Sequence, residues 1–109
     1  MEVKKIKIYE PAMCCPTGLC GVAIDQELLR ISTVLDRLEK NNVHIERFNL
    51  SSAPMEFIKN NEINKVVGVE GVGVLPITVV DDEIILKGRY PKNEEFIQML
   101  NLPHEFFHA

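Results

Sequence analysis

The three cysteines of the chain, Cys14, Cys15 and Cys20, stand within seven residues of one another in the sequence PAMCCPTGLCG. The thiolate form of cysteine is both a nucleophile and a metal ligand, so three clustered thiols predict redox chemistry or ligation. The thiols converge only if the chain turns, because adjacent side chains of an extended segment point to opposite sides. Pro16 and Gly18 lie between them and favour such a turn.

A structural disulfide is one alternative for these thiols. Adjacent Cα atoms lie about 3.8 Å apart, and a disulfide usually needs roughly 4.4–6.8 Å, so a bridge from Cys14 to Cys15 would be strained. Cys20 could reach either of them and would leave the third thiol free. Since the sequence shows no secretory signal, we expect a cytoplasmic protein whose thiols are kept reduced.

Dithiol redox chemistry and structural zinc are two further alternatives. Thioredoxin-like oxidoreductases usually carry Cys-x-x-Cys, whereas the intervals here are zero and four residues. Structural zinc takes four ligands, so three sulfurs would need a histidine. His44, His104 and His108 are all distant in sequence from the cysteines, and we expect them at the surface.

A soft ion bound by three thiolates fits this cluster better. Arsenic(III) and antimony(III) are thiophilic centres of charge +3 that keep a lone pair, so three thiolates complete a pyramidal shell and neutralise the charge. Copper(I) is also soft but needs fewer sulfurs. A flexible loop lets ligands exchange one at a time, as a carrier requires. We therefore expect Cys14, Cys15 and Cys20 to bind the ion as cargo, with no catalytic residue and no permanent cofactor.

The first half of the chain predicts two strands and one long helix. Within Val3–Ile8, apolar and charged residues alternate from Ile6 to Ile8, which indicates a strand, and Pro11 then ends it just before the cysteines. Next comes an amphipathic helix that ends at Asn41 and Asn42, followed by a second strand over Val43–Phe48. The apolar positions of the helix recur every three or four residues, at Ile24, Leu28, Ile31, Leu35 and Leu38.

The second half begins with a predicted helix start at Ser51–Pro54, where a hydroxyl cap precedes a proline in the first turn. Met55 and Ile58 supply its expected apolar face, and Asn60 with Asn61 interrupts it. A further helical stretch over Glu62–Val67 leads into the glycine-rich residues 68–73.

Two β-rich runs, Leu75–Val80 and Glu83–Leu86, predict an antiparallel hairpin because only Asp81 and Asp82 separate them. Pro91 then opens a last helix. Its predicted inward side chains are Phe96, Met99 and Leu100.

The order βαβαββα predicts an α/β fold in one domain over residues 1–109, with a small mixed four-stranded sheet flanked by helices. Sites on such sheets usually lie outside the carboxyl ends of parallel strands, and the cysteines directly follow the first strand. The net charge of −4 does not favour nucleic acid as a partner. No apolar run approaches the roughly 20 residues that span a membrane.

Four motifs of the chain are Glu10–Gly21, Ile45–Leu50, Leu75–Pro76 and Gly88–Pro91. Together they resemble the ArsD family of bacterial and archaeal arsenical-resistance operons. The resemblance implies a thioredoxin-like fold, with Pro76 as the cis-proline beside the thiols. It also implies that Cys14, Cys15 and Cys20 are the metalloid-binding triad.

The same resemblance implies a metallochaperone that takes arsenic(III) or antimony(III) from cytosolic thiols and passes it to the ArsA ATPase of an efflux pump. Family members are also named trans-acting repressors, which implies operator DNA as a partner, and the family suggests a homodimer. Some members carry cysteine pairs near the C-terminus, but this chain has none after Cys20. A repressor as the main role and a thioredoxin-like thiol oxidoreductase remain the alternative functions.

Overall fold

The computed structural model describes residues 4–13 and 25–107. The strands are β1 (Lys5–Glu10), β2 (His44–Asn49), β3 (Ile77–Val80) and β4 (Glu83–Lys87). The helices are α1 (Gln26–Lys40), α2 (Pro54–Lys59), α3 (Asn61–Glu70) and α4 (Asn93–Leu100), with a short 3-10 turn at Val72–Val74. The sheet has the order β2-β1-β3-β4. β1 is parallel to β2 and antiparallel to β3, which confirms the predicted thioredoxin-like α/β fold with a mixed four-stranded sheet.

Side chains of β1 alternate between two cores, one on each face of the sheet. Ile6 and Ile8 are fully buried against α1 and α4, and Tyr9 is buried on the opposite face against α2 and α3. Burial of one large aliphatic side chain stabilises the fold by about 1.5–3 kcal/mol. Helices therefore cover both faces of the sheet, and the strand that leads to the cysteines is held from both sides.

The long amphipathic helix is confirmed as α1, over Gln26–Lys40. Asp25 caps its first turn, since its carboxylate accepts hydrogen bonds from the backbone N–H groups of Glu27 and Leu28. The helix ends where predicted, and Asn42 takes a positive φ of 69°. The predicted apolar residue Ile24 lies outside the described residues.

The predicted hydroxyl cap of the second helical segment is wrong. The N-cap of α2 is Ala53, which makes no side-chain hydrogen bond. The backbone N–H groups of Ser51 and Ser52 instead donate to Oδ1 of Asn49, each at 2.9 Å. An asparagine at the end of β2 thus forms the turn, because its carbonyl oxygen can reach the N–H groups two and three residues ahead.

The predicted apolar face of α2 is also wrong. Met55 and Ile58 are 57% and 54% exposed, whereas Phe57 is only 4% exposed. The Phe57 ring packs edge-on against the Tyr9 ring, with centroids 5.2 Å apart. Because α2 has only six residues, one aromatic side chain sets which side faces the core.

Two boundaries near the next elements also differ from the prediction. Gly68 lies inside α3, which continues to Glu70 and ends at Gly71 with a φ of 84°. The last helix begins at Asn93 rather than Pro91. Phe96 and Leu100 are buried as predicted, while Met99 is only half-buried.

The predicted hairpin of β3 and β4 is confirmed. Asp81 and Asp82 have φ angles of 50° and 70°, as two-residue turns of the primed types require. The register shifts between Thr78 and Val79, which places an extra residue, Ile85, in the edge strand. A bulge of this kind twists an edge strand and makes it a poorer template for pairing with another chain. No helix in the described ranges is long and apolar enough to cross a bilayer.

Candidate functional site at the carboxyl end of the parallel strands

The predicted ligands Cys14, Cys15 and Cys20 lie outside the described residues, so their assignment stays a prediction. The structure does describe the chain on both sides of them, up to Met13 and again from Asp25. The strand before them, β1, runs parallel to β2. The cysteines therefore follow the carboxyl end of a parallel strand, where sites on α/β sheets usually lie.

A buried carboxylate ends β1. Glu10 is fully buried, and its partner Arg47 on β2 has only 14% of its side chain exposed. Nε of Arg47 donates to Oε2 of Glu10 at 2.9 Å, and Nη2 donates to Oε1 at 2.6 Å. This is the two-pronged geometry in which guanidinium and carboxylate groups pair most strongly.

Two hydroxyl groups complete the network around this ion pair. The phenol of Tyr90 donates to Oε1 of Glu10 at 2.6 Å, and Nη1 of Arg47 donates to the hydroxyl of Ser32 at 2.9 Å. Ser32 lies on α1, and Tyr90 lies in the connection between β4 and α4. The network therefore joins the end of β1 to three other parts of the fold.

The pKa values of the two groups that donate to Glu10 are both raised. Burial and the Glu10 carboxylate raise the pKa of the Tyr90 phenol far above its ordinary value, so it remains a donor. Burial alone would lower the pKa of the Arg47 guanidinium, but the hydrogen bonds and charge of Glu10 outweigh it and raise that pKa. Both groups that donate to Glu10 thus keep their protons in the physiological range.

Arg30 anchors the chain on the other side of the cysteines, on α1. Its guanidinium donates to both carboxylate oxygens of Glu27, at 2.7 and 2.9 Å. It also donates to Oδ1 of Asn93 at 2.8 Å and to the backbone carbonyl of Pro91 at 2.9 Å. The hydrogen bond from Arg30 lowers the pKa of Glu27, so this carboxylate remains charged.

Pro76 lies at the same end of the sheet. The Leu75–Pro76 peptide bond is cis, which agrees with the fold implied by the resemblance. The antiparallel register pairs Tyr9 of β1 with Ile77 of β3, so Pro76, directly before Ile77 in the chain, lies at the level of Glu10. Its expected position beside the thiols involves residues outside the described ranges.

The histidines behave as expected where the structure describes them. His44 is exposed and bonds to Oε1 of Glu46 at 2.8 Å, and His104 is exposed. His108 lies outside the described residues. Across residues 4–13 and 25–107, no three His, Cys, Asp or Glu side chains are grouped so that they could hold a metal ion.

Three of the four residues of the network around Glu10 stand in motifs of the sequence, but no role was predicted for them. Glu10, Arg47 and Tyr90 belong to three separate motifs, and the structure brings them together. Arg30 and Ser32 were missed, because the sequence gives no sign of which exposed-looking side chains of an amphipathic helix reach a distant loop. The sequence does offer one signal for Glu10. This residue continues the row of inward-facing side chains on β1 after Ile6 and Ile8, and a charged residue in such a row needs a buried partner.

Known proteins are similar to this chain in sequence and in fold. The family described as Arsenical resistance operon protein ArsD matches residues 3–108. Two proteins of Escherichia coli, each named Arsenical resistance operon trans-acting repressor ArsD, are similar along most of their length. One is 39% identical over 93% of this chain and 84% of its own, and the other is 37% identical over 94% and 86%.

A solved structure is also similar. The crystal structure of an arsenical resistance operon trans-acting repressor from Bacteroides vulgatus ATCC 8482 superimposes with a TM-score of 0.82 and 41% sequence identity. The match covers 90% of this chain and 92% of that one. Motifs, fold and sequence similarity along nearly the whole chain agree, and the protein belongs to the ArsD family.

Proposed function

We propose that this protein is a cytoplasmic carrier of arsenic(III) or antimony(III) that binds the metalloid through the thiolates of Cys14, Cys15 and Cys20. It takes the metalloid from a cytosolic thiol and passes it to an ArsA-type ATPase that serves an arsenite efflux pump. The observation that supports this proposal most is the placement of the three-cysteine segment. It follows a parallel strand and precedes a capped helix, and both neighbours are anchored by hydrogen-bonded networks.

The chemistry of capture needs no catalyst. Arsenous acid, As(OH)₃, reacts with three thiols: three As–O and three S–H bonds break, three As–S bonds form, and three waters leave. Arsenic stays in the +3 state throughout, so no oxidant or reductant is consumed. The protein on this proposal is not an enzyme and needs no permanent cofactor.

Release proceeds by thiol exchange, in which the thiols of the partner replace those of the carrier. Each incoming thiol of the partner forms one As–S bond as one carrier thiolate leaves, and the proton moves from the incoming sulfur to the departing one. Because ligands change one at a time, the metalloid is never free in water. A homodimer, which the family resemblance implies, is compatible with this scheme because each chain carries a full set of three thiols.

The test is the stoichiometry and coordination of bound arsenite. We expect one arsenic per chain, with three As–S bonds by X-ray absorption, and a large loss of affinity when any of the three cysteines becomes serine. Met13→Leu, next to the cluster, serves as a matched control and should bind as the native chain does. Native affinity in Cys20→Ser would overturn three-thiolate coordination.

Delivery is tested separately with an ArsA-type ATPase. The arsenite-loaded protein should stimulate ATP hydrolysis at arsenite concentrations too low to act alone. The Cys20→Ser protein should not stimulate it. Equal stimulation by the native and Cys20→Ser proteins would overturn the carrier role.

A repressor that responds to metalloid is the second candidate function, and the names of the Escherichia coli and Bacteroides relatives favour it. The net charge of −4 weighs against a strong electrostatic contribution to DNA binding. Gel-shift titrations with operator DNA at low salt, with and without arsenite, decide the matter. Arsenite-sensitive binding would support the repressor role, and no binding at low salt would contradict it.

A further inference from the structure

Tyr90 and Pro91 contact the chain on both sides of the cysteine segment, which is the stretch of residues 11–24 between β1 and the cap of α1. Tyr90 donates its phenolic hydrogen to Glu10, the last residue of β1, at 2.6 Å. The backbone carbonyl of Pro91, the next residue, accepts a hydrogen bond from Arg30 of α1 at 2.9 Å. The connection between β4 and α4 therefore bridges the strand before the cysteines and the helix after them.

This bridge is reinforced at both ends. Arg30 also bonds Asn93 at the start of α4, at 2.8 Å. Glu10 is held by Arg47 of β2 in addition to Tyr90. Tyr90 itself is 8% exposed and packs in the core between the sheet and α4. The strand before the cysteines and the helix after them are therefore tied to one connection by side chains far away in sequence.

Such a bridge matters for a ligand that needs several groups at once. Bringing three thiols together costs conformational entropy, and this cost falls when the ends of the segment that carries them are already fixed. The benefit is largest for a three-coordinate ion, smaller for a ligand that takes two thiols, and absent for a ligand that takes one.

We propose that Tyr90 and Arg30 are positioning residues for metalloid capture. They tie Glu10, at the end of the strand before the cysteines, and α1, the helix after them, to the same connection, so the segment between them starts and ends on fixed supports. This inference rests on the proposed function, since it concerns the affinity of the same three cysteines. Neither side chain needs to touch the metalloid for this role.

The experiment compares three thiol-seeking probes on the native chain, Tyr90→Phe and Arg30→Gln. Arsenite takes three thiols, phenylarsine oxide takes two and methylmercury takes one. Tyr90→Phe removes only a hydroxyl and leaves the pair of Glu10 with Arg47, so the fold should survive. Lys87→Gln is the matched control, because Lys87 ends β4 just before this connection but pairs with Glu70 of α3, outside the bridge.

We expect both variants to weaken arsenite binding by about tenfold, as the loss of one charge-assisted hydrogen bond allows. Phenylarsine oxide should lose less affinity, and methylmercury should bind every variant equally. Thermal unfolding of each variant, measured alongside, establishes that the chain is folded at the binding temperature. Lys87→Gln should bind all three probes as the native chain does.

Two results would overturn the inference. One is native arsenite affinity in both variants, and the other is an equal loss of affinity for all three probes, which indicates a general effect on the fold. A failure of the proposed function looks different, because the native chain itself would then bind no arsenite through three sulfurs.

Discussion

The phenolic oxygen of Tyr90 lies 2.6 Å from Oε1 of Glu10, although the two residues are 80 positions apart in the sequence. The contact joins the end of the first strand to the connection that precedes the last helix. It also completes the hydrogen bonding of a fully buried carboxylate, which a protein interior tolerates only when the charge is paired and bonded.

Glu10→Gln should therefore destabilise the protein strongly. The substitution keeps the shape of the side chain but leaves the Arg47 guanidinium buried without its countercharge, and breaking a buried pair in this way costs about 3–5 kcal/mol. Urea unfolding curves measure the loss. Asp36→Asn breaks the exposed pair of Asp36 with Lys40 on α1 and should change the free energy of unfolding by no more than about 0.5 kcal/mol. Losses of equal size in the two variants would contradict a dominant role for the buried network.

The spacing of apolar residues predicted the main elements well, because this spacing depends only on residues that are close together in the chain. Ile31, Leu35 and Leu38 recur at helical spacing and are all buried in α1. Asp81 and Asp82, between two β-rich runs, were enough to predict the hairpin and its turn. In each case the residues that decide the structure are neighbours in the chain.

Predictions from the sequence were wrong where a residue distant in the chain determines which side chain is buried. Phe57 rather than Met55 or Ile58 faces the core, because the ring of Tyr9 on β1 receives it. The predicted cap at Ser51 and Ser52 failed for a local reason instead, because Oδ1 of Asn49, two and three residues earlier, accepts hydrogen bonds from their backbone N–H groups.

The candidate site shows the same difference between residues that are close in sequence and residues that are distant. Cys14, Cys15 and Cys20 are close in sequence, so their chemistry could be predicted, although the structure does not describe them. The network around Glu10 is assembled from three elements and the connection between β4 and α4, and nothing local in the sequence pairs Tyr90 with Glu10 or Arg30 with Pro91.

Gly71 should tolerate alanine poorly, and Gly73 should tolerate it well. Gly71 has φ 84° and ψ 172°, a conformation that costs an L-residue about 1–3 kcal/mol. Gly73 has no positive φ, and a Cβ would meet no atom within 4 Å at either position. Chemical unfolding of Gly71→Ala and Gly73→Ala separates backbone strain from crowding. Equal stability of the two variants would contradict the assigned backbone conformation.

The pair of Glu95 with Arg89 should make stability depend on acid pH. Hydrogen bonds from Arg89 and from the backbone N–H of Lys92 lower the pKa of Glu95 from 4.5 to about 2. Because the folded pKa lies below the unfolded one, this contribution is fully present above about pH 4.5 and is lost as the pH falls through about 2.

Glu95→Gln tests this dependence. Since the pair is solvent-exposed, we expect the folding equilibrium constant at neutral pH to fall by less than about fivefold. The difference from the native chain should disappear below about pH 2. Unfolding curves at several pH values measure it, and a difference that persists unchanged at the lowest pH would contradict the assigned pKa.

Arsenite should stabilise the folded chain, but by less than its affinity alone implies. A ligand at 100 times its dissociation constant adds about 2.7 kcal/mol when it binds only the folded state. Here the three thiols lie within seven residues, so the unfolded chain also retains affinity and part of the stabilisation is lost. Titration of arsenite into the native protein, and into the chain held unfolded in concentrated urea, gives the two affinities. RT times the natural logarithm of their ratio should equal the measured stabilisation at saturating arsenite, and Cys20→Ser should lose most of this stabilisation. If saturating arsenite left the unfolding midpoint unchanged, the folded chain would bind no better than the unfolded one, and the anchored strand and helix would contribute nothing to capture.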